Sequence, residues 1–80
     1  MRARVYVTLK REVLDPQGEA VKKGLETLGI SGVGQVRVGK VIDVDIDGDP
    51  ATVHARLDEA ARKLLANPVI EDFRVEVVPG

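Results

Sequence analysis

Alternating apolar and polar residues predict four β-strands in this chain. Successive side chains of a strand point to opposite faces, so a period of two with β-branched residues is typical of a half-buried strand. The segments with this pattern are Arg2–Lys10, Val33–Val38, Val41–Ile46 and Val69–Val78. Only Gly39-Lys40 separates the second segment from the third, and a two-residue connection that begins with Gly favours a tight type II′ hairpin.

Two helices are predicted between these strands, and each begins with an Asp-Pro pair. Asp15 and Asp49 can accept hydrogen bonds from the first turn of a helix, and the Pro that follows lacks an N–H where none is needed. Gly29 ends the first helix, and Asn67-Pro68 ends the second. Both helices carry apolar stripes: Val21, Leu25 and Leu28 in the first, and Val53, Leu57, Ala60, Ala61, Leu64 and Leu65 in the second.

The resulting order of elements, β-α-β-β-α-β, predicts an α+β chain with a ferredoxin-like fold. This fold has a four-stranded antiparallel sheet with two helices on one face. The helix-free face would stay open, and Tyr6 on that face would mark a surface for a partner or a second copy. Residues 1–80 are expected to form one domain, because a chain of this length has no room for a second.

Composition excludes several classes of protein. The absence of cysteine excludes a disulfide scaffold, a thiolate metal site and a cysteine nucleophile. A net charge of −1, with one Tyr and one Phe as the only aromatic residues, argues against nucleic acid as a partner. The chain has neither an apolar run that could span a membrane nor a secretory signal, so a cytoplasmic protein is expected. One Asn, two Gln and no Cys are typical of a thermophilic source.

Charge is distributed unevenly between the two halves of the chain. Residues 1–40 hold eight Lys and Arg against four Asp and Glu, whereas residues 41–80 hold four against nine. These opposite surpluses predict complementary patches that would serve self-association or docking. A domain of this size buries only about 60% of the surface of its unfolded chain, and association is a common way to gain stability. We therefore expect a homodimer or a larger assembly.

No constellation of residues indicates an active site. Asp43, Asp45 and Asp47 before Gly48 imitate the start of a calcium-binding loop, but the last position of that motif holds His54 instead of a bidentate Glu. His54 is the only histidine and no cysteine accompanies it, so a hydrolytic triad is not indicated. We predict no catalytic residue, no metal site and no cofactor site in this chain.

Two other functions remain open for the predicted fold. One is a small enzyme of the acylphosphatase kind, whose anion-binding glycine loop and Arg lie between the first strand and the first helix. This chain has Lys10–Gly18 there, without that pattern, and Gly32–Arg37 lacks the strand-loop-helix context that aims N–H groups at an anion. The other is a free-standing ferredoxin-like module that binds a small molecule for regulation, although such modules are usually fused to an enzyme.

Four segments carry a resemblance to a known family. They are Val5–Lys10, Val13–Val21, Val36–Lys40 and Lys63–Phe73. In this order they resemble the PurS family, the small subunit of phosphoribosylformylglycinamidine synthase in purine biosynthesis. Val41–Arg62 matches that family at the level of pattern.

The resemblance implies an assembly subunit without catalytic residues of its own. In the family's complex, a large synthetase subunit and a glutaminase subunit convert formylglycinamide ribonucleotide, ATP and glutamine to the amidine, ADP, phosphate and glutamate. The small subunit helps to assemble the complex, and so allows ammonia to pass between the two active sites. The implied partners are those two subunits and further copies of this chain, and the partner subunits would use the ATP, Mg and glutamine.

The positions that match the family's motifs are the candidate interface residues. Some of them also have a predicted structural role, because Asp15 and Pro16 start a helix, Gly39 serves the hairpin and Phe73 is expected in the core. The full set is Asp15, Pro16, Gln17, Gly18, Arg37, Gly39, Lys40, Asn67, Glu71, Asp72 and Phe73.

Three of these candidates have weaker structural roles and are the preferred direct contacts. They are Gln17, Arg37 and Lys40. Replacing Arg37 and Lys40 with Ala is expected to weaken docking to the partner subunits, since exposed cations act through screened electrostatic attraction. The fold should stay nearly intact in this double variant, because changes at side chains that face solvent usually cost little stability.

Overall fold

A computed structural model describes residues 1–78, which form a three-stranded antiparallel sheet and two α-helices. In chain order the elements are β1 (Arg2–Leu9), α1 (Pro16–Thr27), β2 (Lys40–Asp45), α2 (Pro50–Ala60), a single turn of π-helix (Ala61–Leu65) and β3 (Glu71–Val78). β1 lies in the centre of the sheet, between β2 and β3. No helix within residues 1–78 is long and apolar enough to cross a membrane. Residues 79 and 80, the end of the predicted domain, lie outside the described residues.

The core lies between the sheet and α2. Ala3, Val5 and Val7 of β1 are at most 1% exposed, and they alternate with exposed or half-buried residues as the sequence pattern predicted. Val53 and Leu57 of α2 are buried and pack in one cluster with Ala3. α2 therefore covers one face of the sheet through the apolar stripe that its spacing predicted.

The π-helical turn after α2 changes which leucine faces the core. The N–H of Ala66 donates to the carbonyl oxygen of Ala61, five residues earlier, at 2.8 Å, and both alanines are buried in one cluster with Val5. The predicted stripe is confirmed for Ala61 but wrong for Leu64, whose surface is 80% exposed. The prediction is confirmed for Leu65, which packs against the core, because the wider turn rotates the residues that follow Ala61.

Residues 33–39, which we call the arm, differ from the predicted second strand. The pattern predicts a strand at Val33–Val38 and a tight turn at Gly39, but the chain runs from the arm into β2 without a turn. Gly39 lacks the positive φ of a type II′ turn. A Cβ on Gly39 would stand 2.7 Å from the carbonyl oxygen of Val7, so this glycine permits a close approach to β1. The arm does not pair with the sheet of its own chain.

α1 does not pack on the sheet as the first helix of a ferredoxin-like fold would. Gly18 is the only buried residue of α1. Val21 and Leu28, from the predicted apolar stripe, are 45% and 77% exposed. The chain measures 47 × 29 × 15 Å, and its radius of gyration of 15.8 Å exceeds the roughly 12 Å expected for a compact domain of this length. The chain therefore presents apolar surface that its own sheet does not cover.

The helix-free face of the sheet carries polar pairs. Arg4 Nε lies 3.1 Å from a carboxylate oxygen of Asp43 on the neighbouring strand. The guanidinium of Arg74 lies over the ring of Tyr6, 4.2 Å from its centroid, and the Tyr6 hydroxyl is 3.4 Å from Glu76 Oε1. Because these pairs occupy the face around Tyr6, the uncovered apolar residues of α1 are the stronger candidate for an association surface.

The two leucines near the end of α2 provide a test of the π-helical turn. Replacing Leu57 with Ala should lower the free energy of unfolding by about 2–4 kcal/mol, because this side chain is buried in the core. The same replacement at the exposed Leu64 should change it by less than about 0.5 kcal/mol. Urea unfolding at one protein concentration, followed by circular dichroism, measures both values. Equal losses in the free energy of unfolding at the two positions would contradict the exposed position of Leu64 in the π-helical turn.

Candidate subunit interface

The carboxylate of Asp15 joins α1 to the arm. Its Oδ1 accepts the N–H of Gly18 at 2.9 Å in the first turn of α1, and its Oδ2 accepts the N–H of Val38 at 2.8 Å in the arm. These donors, Val38 first, hold the pKa of the Asp15 carboxyl below its usual value. The predicted helix start is confirmed, with Asp15 as the cap and Pro16 at the first helical position. Asp15 therefore has a second role, in holding the arm.

Arg37 inserts its guanidinium into the loop between β1 and α1. It donates to the carbonyl oxygens of Val13 at 2.8 Å, of Leu9 at 3.3 Å and of Lys10. Arg37 was predicted to face solvent, and this prediction is wrong, because the side chain is half-buried. Replacing it should therefore disturb the structure around the loop. A planar, forked donor suits three separate carbonyl groups, which explains why an arginine stands at this position.

Gly18 allows the arm to lie directly against α1. A Cβ at this position would stand 2.0 Å from the carbonyl oxygen of Val36, so the backbone of the arm occupies the space that any other residue would need. Gly24, later in the same helix, has nothing within 4 Å of the corresponding position. Asp15, Gly18 and Arg37 thus connect α1, the loop before it and the arm, and we call these three residues the clamp.

An open groove of about 290 Å³ lies beside the clamp. Gln17 and Lys40 are exposed residues on its wall, and Glu71 Oε1 accepts the N–H of Asn67 at 2.7 Å. The structure therefore brings together predicted interface residues from three separate segments of the sequence. The groove is lined by Val7, Thr8, Leu9, Asp15, Gln17, Val38, Gly39, Lys40 and Glu71.

The remaining predicted interface residues lie on β3 and in the turn before it. The side-chain oxygen of the exposed Asn67 accepts the N–H of Val69 at 3.1 Å, which shapes this turn. Asp72 is exposed and lies 3.5 Å from the ammonium group of Lys10. Phe73 packs against the core cluster, as expected. Asn67 and Asp72 remain accessible to a partner, whereas Phe73 has its main contacts inside the chain.

Periodicity alone does not identify the apolar surface beside this site. Leu14, Val21, Leu28 and Ile30 lie in α1 and in the segments on either side of it, and each is between 45% and 77% exposed. A helical period indicates that Val21 and Leu28 share a face, but it does not indicate which chain covers that face. Leu14 and Ile30 lie outside the periodic segment, and no pattern in the sequence marks them. We call these four residues the apolar surface.

Comparison with known proteins identifies the family of this chain. Residues 2–79 match the family described as "PurS: Phosphoribosylformylglycinamidine (FGAM) synthase". The chain is 49% identical over 75 residues to the phosphoribosylformylglycinamidine synthase subunit PurS of Synechocystis sp., and the alignment covers 92% of this chain and 75% of the relative.

Solved structures share the fold. PurS of Methanocaldococcus jannaschii, described as one of the subunits of formylglycinamide ribonucleotide amidotransferase, has a TM-score of 0.89 at 35% identity, over 99% of this chain and 96% of that one. A chain in the structure of PurLQS from Thermotoga maritima has a TM-score of 0.86 at 26% identity, over 96% and 95%. With the family matched over nearly its whole length and the fold shared, this chain belongs to the PurS family.

Proposed function

We propose that this chain is the non-catalytic assembly subunit of phosphoribosylformylglycinamidine synthase in purine biosynthesis. It bridges the glutaminase subunit and the synthetase subunit, and so supports the transfer of ammonia between them. ATP, Mg and glutamine are used by those subunits. The observation that carries the proposal is the apolar surface in and beside α1, because exposed apolar surface of this kind indicates a site of contact with another protein. A relative of the same fold in a structure described as PurLQS supports a place in a complex.

The first proposed partner is a second copy of this chain. The accessible surface is 5637 Å², whereas about 4,700 Å² is expected for a compact folded chain of this mass. The excess of roughly 900 Å² is close to the area that each protein contributes to an interface of standard size. The basic first half and the acidic second half of the sequence would also attract each other between two copies.

The arm is the proposed fourth strand of the assembled form. It has the alternation of a strand, and β2 and β3 are both open edges of the three-stranded sheet. Backbone N–H and C=O groups of an unpaired strand need partners when they are buried, and an edge strand of another copy supplies them. The four-stranded sheet of the predicted ferredoxin-like fold would then be completed between chains, and not within one.

Gln17 and Lys40 are the proposed direct contacts with the glutaminase or synthetase subunit. Both are exposed on the wall of the groove, where a partner can reach them. Asn67 and Asp72 extend this candidate surface along the start of β3. A free-standing regulatory module is not favoured, because the family match covers residues 2–79 and names a synthase.

Omission of this chain tests the proposed assembly role. In a mixture of the glutaminase and synthetase subunits, leaving it out should abolish the formation of amidine from glutamine. Some activity with an ammonium salt should remain, because ammonia in bulk solution reaches the synthetase subunit without a docked glutaminase. Amidine formation is measured with each nitrogen source, with and without this chain. Equal glutamine-dependent rates in both mixtures would contradict the proposal.

Self-association should depend on the apolar surface. Replacing Leu28 with Lys should raise the dissociation constant at least about tenfold, because a charge would be placed in the interface. Lys is tolerated near the C-terminus of a helix, so α1 should still form. The matched control is Leu64→Lys, at an equally exposed leucine outside this surface. Sedimentation equilibrium at micromolar concentrations measures each constant, and a monomeric wild-type chain would contradict the proposed homo-oligomer.

A further inference from the structure

The arm is held by contacts with α1 and with the loop before it. It does not pair with the sheet of its own chain, and α1 buries only Gly18. The hydrogen bonds and the close approach that the structure gives between the arm, α1 and the loop before it are those of the clamp. Without them the arm would gain conformational freedom, and the entropy lost in ordering it would then oppose association.

Two clamp residues connect the arm to α1, and the third connects it to the segment before α1. Asp15 accepts N–H groups from α1 and from the arm, and Arg37 carries its guanidinium from the arm to carbonyl groups of the β1–α1 loop. Gly18 leaves room for the carbonyl oxygen of Val36 on the surface of α1. The polar atoms of Asp15 and Arg37 are thus used inside the chain, so neither residue is well placed to contact a partner directly.

We propose that Asp15, Gly18 and Arg37 are positioning residues that lock the arm to α1 and so form the association surface before a partner arrives. A preformed surface binds more tightly than a mobile one, because less ordering remains to be done in the complex. The three clamp residues then affect assembly indirectly, because they fix the position of the arm that the partner meets. This inference rests on the proposed function, since it concerns how the chain presents its association surface.

A direct contact between Arg37 and a partner predicts a different behaviour. An exposed charge pair largely keeps its attraction when Lys replaces Arg, and it weakens with salt. In the clamp, the single ammonium group of Lys cannot reach carbonyl oxygens of Val13, Leu9 and Lys10 with the geometry of a guanidinium. Arg37→Lys should therefore release the arm although it keeps the charge.

The decisive comparison uses two glycines of α1. Gly18→Ala and Gly24→Ala make the same change in one helix, but only the first places a Cβ against the arm. Gly18→Ala should accelerate hydrogen exchange at the Val38 amide, leave the amides of β1 protected, and raise the dissociation constant of self-association at least about tenfold. Gly24→Ala should leave all three quantities at their wild-type values or slightly strengthen the fold.

Unchanged exchange at the Val38 amide and an unchanged dissociation constant in Gly18→Ala would overturn the proposal. If Gly18→Ala does not fold, Arg37→Lys decides, because it should show the same selective release of the arm. Wild-type exchange and association in Arg37→Lys would overturn the proposal equally. If the wild-type chain is monomeric, the proposed self-association is wrong, but exchange at the Val38 amide still tests whether the clamp holds the arm.

Discussion

The two hydrogen bonds that the Asp15 carboxylate accepts fix the arm against the start of α1. One N–H comes from the first turn of α1 and the other from the arm, so a single short side chain sets two elements relative to each other. The charge of the carboxylate strengthens both bonds, and the guanidinium of Arg37 adds to its stabilisation. The residues of this unit come from two segments of the sequence, 15–18 and 37–38, which only the folded chain brings together.

A small chain with one covered sheet face is well suited to an assembly subunit. β1 and α2 provide a core that positions the strands, while α1 and the arm extend from it with apolar surface exposed. An enzyme needs reactive groups converged in a pocket, whereas a subunit that joins others needs accessible surface of more than one kind. This chain offers an apolar surface in and beside α1, a polar helix-free sheet face and an open groove beside the clamp.

Local signals in the sequence predicted much of the fold. The Asp-Pro pairs at Asp15 and Asp49 do start helices, and Asp49 accepts the N–H of Thr52 at 3.1 Å as a cap should. The alternation of β1 and the apolar stripe of α2 also correspond to the buried residues. These features depend on residues that are close in the sequence or that share one face of a single element. The pattern of apolar and polar residues contains this information.

Features that depend on distant contacts could not be predicted in this way. Gly39 has the sequence context of a hairpin turn, yet its role is to let the arm approach the backbone of Val7. Leu64 has the spacing of a core residue, but the π-helical turn rotates it into solvent. Arg37 donates to backbone carbonyl groups, which every residue has. The residue types of its partners therefore give no signal in the sequence.

In the proposed assembly, α1 and the arm are in contact with another chain. Isotope-filtered nuclear Overhauser spectroscopy tests it most directly, on an equal mixture of unlabelled chains and chains labelled at their methyl carbons. We expect contacts between the methyl groups of Leu28 and protons of an unlabelled chain. Leu28 methyl groups that contact only their own sheet would show that α1 folds back onto β1–β3, and would contradict the claim.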